Sequence, residues 1–272
     1  MSSELEERRE AAQALANHRS SQAVPLLIQI LRNEKPEGSD KHYAGRALLQ
    51  IGAASVLPLL EEYFTYESSD FAGWLLSSEE LGPDTIPEFL KALRHPKVGI
   101  RRFAASRFRV FGPEGRAATP ALVDALLHDS DQEVRFWAAA SLSEHPPGAE
   151  AIPALMGVVR NPGEDAHTRM STAHTLSGIE QSLEPLEELL TDADSYVRLC
   201  AVAALNNLAL EEPRAFAALK RAVRDESPEV REFAQDVVMS YENPKSRREP
   251  DGSSSEGVLD PEESLDDPEP DL

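Results

Sequence analysis

The chain has 272 residues, with 27 Lys and Arg against 48 Asp and Glu, so its formal net charge is −21 and its isoelectric point is about 4.7. This surplus of carboxylates argues against nucleic acid or an anionic membrane as the main partner, because both bind through clustered cations. The single cysteine excludes an internal disulfide and a Cys-rich zinc site. The N-terminus is charged at once and no apolar run approaches the ~18 residues of a membrane span, so we expect a cytoplasmic protein.

A proline followed by an apolar run recurs along the chain, and the first five such prolines are 33, 29, 33 and 33 residues apart. They are Pro25, Pro58, Pro87, Pro120 and Pro153. A proline is tolerated in the first turn of a helix, where its missing amide has no intrahelical acceptor. Each therefore predicts a helix start. In two later copies the proline shifts to Pro185 or is missing, as in residues 215–219.

An acidic turn follows the later helices, in which an aspartate stands six residues before an arginine. The pairs are Asp129 and Arg135, Asp192 and Arg198, and Asp225 and Arg231. Alanine-rich segments come next, as in residues 138–142 and 201–205, and small side chains there let a second helix lie close to its neighbours. The repeated unit is therefore a helix A, a polar turn and a helix B.

This unit resembles HEAT repeats, particularly the short subgroup related to phycobilin lyase repeats, over roughly residues 4–242. The resemblance implies an all-α fold, an α-solenoid of about seven stacked helical hairpins in one domain over residues 1–242. Residues 7–15 match the helix B of a truncated first copy. Two copies depart from the pattern, since Gly45 and Gly73 stand inside predicted helices, where glycine costs ~1 kcal/mol relative to alanine.

The C-terminal residues 243–272 form a separate region, because the repeat pattern stops at Tyr241. Residues 249–272 contain ten carboxylates, four prolines and no Lys or Arg, a composition that predicts a disordered acidic tail. Residues 1–248 carry −11 of the −21 charges. The tail either keeps the protein soluble, which we favour, or folds back onto Arg102, Arg107 and Arg109 and occupies a binding groove.

The recurring Asp and Arg residues of the turns predict a structural ladder that pairs or caps across repeat boundaries. A catalytic pair has no reason to recur in several copies. No histidine precedes a glutamate, whereas HEAT-like deoxyhypusine hydroxylases hold iron with repeated His-Glu dipeptides. The histidines are expected to be exposed or half-buried bystanders, and Cys200 a buried structural thiol. We therefore predict no catalytic residue, no metal site and no cofactor.

Aligning the helix B segments separates an inner from an outer stripe. Trp137 shares an inner position with Trp74, Phe103, Cys200 and Phe233, so we expect these side chains in the core. In HEAT solenoids helix B lines the concave side, and that resemblance implies that the outer stripe is the binding surface. Its candidate residues are the apolar row Phe136, Met170 and Leu199, with His174, flanked by Arg102 and Arg109 on one side and by Glu232 and Asp236 on the other.

An apolar row with a charged rim is typical of a groove that binds a peptide or a helix. The leading interpretation is a monomeric, non-catalytic scaffold that binds another protein or peptide. A phycobilin lyase-like or other small-ligand enzyme stays open as the alternative, because that family shares the repeat. A HEAT-like DNA glycosylase is disfavoured, since a net charge of −11 outside the tail does not suit a cationic groove.

Overall fold

The computed structural model describes residues 10, 14, 18–33, 39–65 and 70–243. Within these residues the chain is all-α, with fourteen α-helices and no strand. The helices are α1 (Val24–Asn33), α2 (Ser39–Ile51), α3 (Ala53–Tyr63), α4 (Asp70–Leu76), α5 (Ile86–Ala92), α6 (Val98–Arg107), α7 (Thr119–His128), α8 (Gln132–Glu144), α9 (Ile152–Arg160), α10 (Ala166–Ser177), α11 (Leu183–Leu189), α12 (Ser195–Leu208), α13 (Pro213–Ala222) and α14 (Pro228–Glu242).

The helices pair into seven hairpins, in which each odd-numbered helix is a helix A and each even-numbered helix is the helix B that follows it. Successive B helices pack on one another from α6 through α8, α10 and α12 to α14. The A helices form a second layer beside them, and the buried apolar side chains make one continuous core between the layers. The predicted α-solenoid is therefore confirmed. The truncated first copy lies outside the described residues except for Glu10 and Ala14, as does the acidic tail.

Proline placement explains the starts of three A helices. Pro87, Pro120 and Pro153 each stand in the first two positions of an A helix. The prediction for Pro58 was wrong, because α3 begins five residues earlier at Ala53 and encloses this proline. Gly52 makes the earlier start possible: its φ of 75° is a left-handed conformation that suits glycine, and it turns the chain directly from α2 into α3.

Aspartate side chains cap three consecutive B helices in the second half of the chain. Asp131, Asp165 and Asp194 accept hydrogen bonds from backbone amides in the first turns of α8, α10 and α12, respectively. Each carboxylate satisfies an amide that has no intrahelical acceptor, an arrangement that typically contributes ~1 kcal/mol. The caps therefore fix where these three helices begin, and with that the register of the side chains they present.

An arginine ladder joins the polar turns of successive hairpins. Arg198 of α12 donates from Nε and Nη2 to both carboxylate oxygens of Asp225 in the next turn, at 2.8 Å each. Its Nη1 donates to the Asp192 carbonyl of its own turn at 2.9 Å. The same forward pairing occurs four times and joins five consecutive hairpins. Its rungs are Arg101 with Asp129, Arg135 with Glu164, Arg169 with Asp194, and Arg198 with Asp225.

The partners in the ladder are not the aspartate and arginine that stand six residues apart in one turn. Arg135 reaches Glu164, whereas the Asp129 carboxylate accepts from Arg101 of the preceding repeat. Asp192 accepts from Arg160, at the end of α9. Arg231, the last ladder arginine, donates to the Asp225 carbonyl at 2.7 Å, and it has no ion pair with any other residue that the structure describes.

The expectation that all five residues of the Trp137 position lie in the core was wrong for two of them. Cys200 is fully buried, and Phe103 and Trp137 are partly buried against the core. Trp74 is 60% exposed and Phe233 is 36% exposed. Trp74 lies on the short helix α4 and stacks on Phe71 at 5.4 Å between ring centroids. Phe233 lies on α14, which no further B helix covers within the described residues.

Candidate functional site

An open depression of about 520 Å³ lies across α8, α10 and α12. We call it the B-face pocket. Its lining residues are Arg109, Phe136, Ala140, Ser143, Glu144, Met170, Ser171, His174, Ala203, Ala204 and Asn207. The pocket thus draws on four consecutive repeats.

Small side chains create the B-face pocket. Phe136 and Ala140 are four residues apart on α8, so they lie one above the other on the same helix face. On α12, Ala203 and Ala204 line the opposite side. Because alanine fills so little of the space between neighbouring helices, a hollow remains where larger residues would close the surface.

The floor of the pocket is apolar. Phe136 is half-buried, and its ring contacts Trp137 at 5.0 Å and His167 at 6.3 Å between centroids. Met170 is half-buried and packs against the core. A thioether on an unbranched side chain adapts its shape to what it contacts, so this floor suits a large apolar side chain from a ligand.

The rim of the pocket is polar. Asn207 Nδ2 lies 2.7 Å from His174 Nδ1 and donates to the Ser177 hydroxyl at 3.0 Å. Arg109 and Glu144 are exposed on the rim, and neither has an ion pair with another described residue. The rim therefore offers both a cation and a carboxylate to a bound segment.

The predicted apolar row is only partly gathered at the pocket. Phe136 and Met170 line it, but Leu199 packs against the core and does not. Ala203, one turn further along α12, takes part in the lining instead. Of the remaining candidates, Arg109 and His174 line the pocket, and both are exposed.

Arg102 does not line the pocket, and its guanidinium is already paired. It donates from Nε and Nη2 to the two carboxylate oxygens of Asp131, at 2.8 and 2.7 Å, and Nη1 lies 3.0 Å from Glu133. The hydrogen bonds from Arg102 lower the pKa of Asp131. Arg107 is likewise engaged: it donates to the carbonyl of Ser78 at 2.7 Å, and burial lowers the pKa of its guanidinium. Of the three arginines proposed to hold the acidic tail, Arg109 has no such contact with a described residue.

Glu232 and Asp236 lie on α14, two B helices beyond the centre of the pocket. They occupy the register positions that Phe136 and Ala140 hold on α8. Both side chains are exposed, and neither forms an ion pair within the described part of the chain. Met239 continues the same stripe and is 55% exposed.

A smaller hollow of about 280 Å³ adjoins the pocket at the start of α8 and α10. Its lining residues are Gln132, Glu133, Phe136, Asp165 and His167. Phe136 thus separates the two hollows. The Asp165 carboxylate is occupied by capping α10, and its bonds to Thr168 and His167 lower its pKa although burial opposes this.

The other reactive side chains stand apart from the pocket. Cys200 is fully buried, and burial raises the pKa of its thiol to about 12, so little thiolate forms at neutral pH. His145 is buried rather than exposed or half-buried as expected, with Nε2 3.3 Å from the Phe108 carbonyl. Over residues 18–33, 39–65 and 70–243, no group of three or more His, Cys, Asp or Glu could hold a metal ion.

Sequence reasoning missed four pocket residues on the B helices. Glu144, Ser171, Ala204 and Asn207 each stand next to a residue of the predicted outer stripe. A stripe three to four positions wide would have included them, because the exposed face of a packed helix is broader than one column.

None of the described helices is long and apolar enough to cross a membrane.

Comparison with known proteins identifies the repeat. The family model for HEAT repeats matches residues 2–78, 86–174, 119–206 and 164–239. No curated protein matches the sequence significantly.

Several solved structures are similar to the chain. An engineered protein is 23% identical, with 88% of this chain and 74% of that chain covered and a TM-score of 0.42. Human deoxyhypusine hydroxylase in complex with glycerol is 24% identical, with 87% and 79% covered and a TM-score of 0.39. A phycocyanin lyase complex from Nostoc sp. is 18% identical, with 79% and 98% covered and a TM-score of 0.29. At TM-scores below 0.5, these likenesses carry no argument about activity.

Proposed function

Because the chain belongs to the HEAT-repeat family, we propose that it is a non-catalytic scaffold that binds a segment of another protein on the outward face of its B helices. The observation that carries the proposal is the B-face pocket, an apolar floor with a polar rim spread over four consecutive repeats. A compact enzyme site would draw convergent reactive groups together. Here the lining consists mainly of alanine, serine and two large apolar side chains.

The size of the pocket fits a side-chain anchor. About 520 Å³ accommodates one or two large apolar side chains of a helix or an extended peptide. Anchors of this kind account for most of the binding free energy at protein interfaces, and the polar groups around them orient the ligand. Phe136 and Met170 would contact the anchor, while Arg109, His174 and Asn207 would contact the polar groups beside it.

The broader parts of the proposal follow from charge and composition. A net charge of −11 in residues 1–248 disfavours nucleic acid and anionic membrane surfaces. We therefore propose a cytoplasmic monomer that needs no cofactor and whose partner is another protein or a peptide.

The test is a selection of random 16-residue peptides displayed against the full chain. The Ala203→Trp variant would fill the B-face pocket with an indole, and Met170→Glu would place a carboxylate on its floor. Ala217→Trp is the matched control, because Ala217 is exposed on the A helix α13, outside the pocket. Circular dichroism and a melting curve check that each variant is folded.

We expect the selected peptides to share a large apolar residue, to bind the wild type and Ala217→Trp alike, and to lose binding to folded Ala203→Trp and Met170→Glu. Peptides that bind all four proteins equally would place the interaction elsewhere and contradict the proposal. A small molecule that co-purifies with the wild type and is displaced by Ala203→Trp would favour the small-ligand enzyme instead.

A further inference from the structure

The charges that the B-helix face leaves unpaired are distributed unevenly along it. Its ladder edge is rich in arginine. Each ladder arginine, however, forms an ion pair with a carboxylate of the following turn; the arginines are Arg101, Arg135, Arg169 and Arg198. A ligand on this face therefore contacts only the charged side chains that have no such ion pair. At the pocket these charges cancel, because one cation, Arg109, and one carboxylate, Glu144, lie on the same rim.

Beyond the pocket, the face becomes acidic. Glu232 and Asp236 are exposed on α14 one turn apart. Arg231 is adjacent in sequence, but its guanidinium is turned to the Asp225 carbonyl. Among the described residues, neither of these two carboxylates has a cationic partner.

Apolar surface accompanies these two carboxylates. Met239 lies three residues after Asp236, so it shares their helix face, and it is 55% exposed. Phe233, beside Glu232, is 36% exposed. Carboxylates alternating with apolar side chains match lysine and arginine, whose aliphatic stems pack on apolar surface while the charged head pairs with a carboxylate.

Resting on the proposed function, we propose that the partner segment is cationic: it places an apolar anchor in the B-face pocket and directs lysine or arginine side chains toward Glu232 and Asp236. The acidic residues 249–272 of the chain itself are not suited to this end of the face, because like charges repel. The overall negative charge also accelerates the encounter with a basic segment.

The spacing of the ligand follows from helix packing. Neighbouring helices lie about 8–10 Å apart, so α14 is roughly 16–20 Å from α10, on which Met170 lies. An extended peptide covers that distance in about five or six residues, and a helix in about 11 to 13. The cationic residues should stand at such a separation, on one side of the anchor only.

The experiment repeats the peptide selection on full-length Glu232→Lys/Asp236→Lys. Its matched control is Glu114→Lys/Glu150→Lys, which makes the same charge change at two exposed carboxylates in short connections that lead to A helices. Peptides selected on the wild type and on the control should be enriched in Lys and Arg on one side of the anchor. Peptides selected on the reversed variant should lose that enrichment or replace it with Asp and Glu.

One wild-type-selected peptide, labelled with fluorescein, then gives affinities. Its dissociation constant should rise about three- to tenfold on Glu232→Lys/Asp236→Lys at 50 mM NaCl, as expected for exposed ion pairs, and the difference should shrink at high salt. A Lys→Glu version of the peptide should recover affinity for the reversed variant. If both selections give the same peptides and these still lose binding to Ala203→Trp, the proposed cationic partner is overturned but the proposed function is not. Peptides insensitive to Ala203→Trp would overturn the proposed function itself.

Discussion

The two halves of the solenoid hold successive hairpins together by different means. In residues 39–110, aromatic rings lie directly on glycines of neighbouring helices. In residues 119–243, guanidinium groups bridge successive turns to carboxylates, and alanines occupy the close helix contacts. Ring packing on glycine thus marks the first half, where Arg32 of α1 also pairs with Glu62 of α3, whereas a continuous ladder of charge-assisted hydrogen bonds marks the second half.

The glycines of the first half are explained by ring packing. A Cβ on Gly45 would stand 2.7 Å from Cε1 of Phe71, and a Cβ on Gly73 would stand 2.8 Å from Cε2 of Tyr63. Both distances are shorter than carbon atoms tolerate without movement. These departures from the repeat pattern therefore provide space for aromatic side chains.

The ladder of the second half has a consequence for the pocket. Each ladder arginine immediately precedes a residue of the outer stripe, as Arg135 precedes Phe136 and Arg169 precedes Met170. Arg135 donates two hydrogen bonds to the Glu164 carboxylate, and Arg169 donates to Asp194 and to the Val159 carbonyl, so each guanidinium is fixed in direction as well as distance. The pairs thereby hold the first turns of α8 and α10 and, with them, the floor of the B-face pocket.

The largest effect is expected from removing a ladder arginine. Arg198→Met leaves the Asp225 carboxylate, whose side chain is 10% exposed, without its main partner, and we expect a loss of about 2–4 kcal/mol in the free energy of unfolding. Arg231→Met is the matched control, because Arg231 has no carboxylate partner among the described residues, and it should cost about 1 kcal/mol or less. Urea denaturation measures both. Equal losses would show that the ladder pairs do not join the repeats.

A smaller effect is expected in the first half. Gly73→Ala would gain helix propensity but force the Tyr63 ring to move, so we expect a net loss of about 1–2 kcal/mol. Gly157→Ala is the control: it is an exposed glycine inside α9 with nothing within 4 Å of an added Cβ, and it should gain about 0.5–1 kcal/mol. Thermal melts of the two variants should therefore shift in opposite directions, and two shifts of the same sign would contradict the ring-packing explanation.

Acid should weaken the ladder half through its carboxylates. Hydrogen bonds from Arg198 lower the pKa of Asp225, and those from Arg169 lower the pKa of Asp194. A lowered folded-state pKa contributes stability above the unfolded value of about 3.9, and this contribution is lost as the pH falls below it. Between pH 5 and pH 2.5, the protection of amides in α12 and α14 against hydrogen exchange, corrected for the slower intrinsic exchange in acid, should fall. In Arg198→Met the pH dependence of stability should be shallower; an unchanged slope would exclude Asp225 as its source.

The smallest effect is expected at Trp74, which is exposed and stacked on Phe71. Trp74→Phe should change the free energy of unfolding by less than about 1 kcal/mol. The chain has two tryptophans, so the remaining emission comes from half-buried Trp137. Acrylamide should quench Trp74→Phe less than a Trp137→Phe variant, and the reverse order would indicate that Trp74 is covered in solution.

The sequence by itself determined the repeat, the helical class and the starts of several helices. Those features follow from local rules: Pro87, Pro120 and Pro153 start A helices, and aspartates of the polar turns cap the B helices α8, α10 and α12. The stripe positions of Phe136, Met170 and His174 also followed from helical periodicity. The acidic tail was an expectation from composition and lies outside the described residues.

Only the tertiary structure decided which side chains meet across repeats. Periodicity places Trp74, Trp137 and Phe233 at one position, yet their burial differs, because burial depends on whether a neighbouring helix covers that position. The pairing of Arg135 with Glu164 and the hollow left by Ala203 likewise arise between repeats about 30 residues apart. A local pattern fixes the direction of a side chain from its own helix, whereas its partner is set by how separate helices stack.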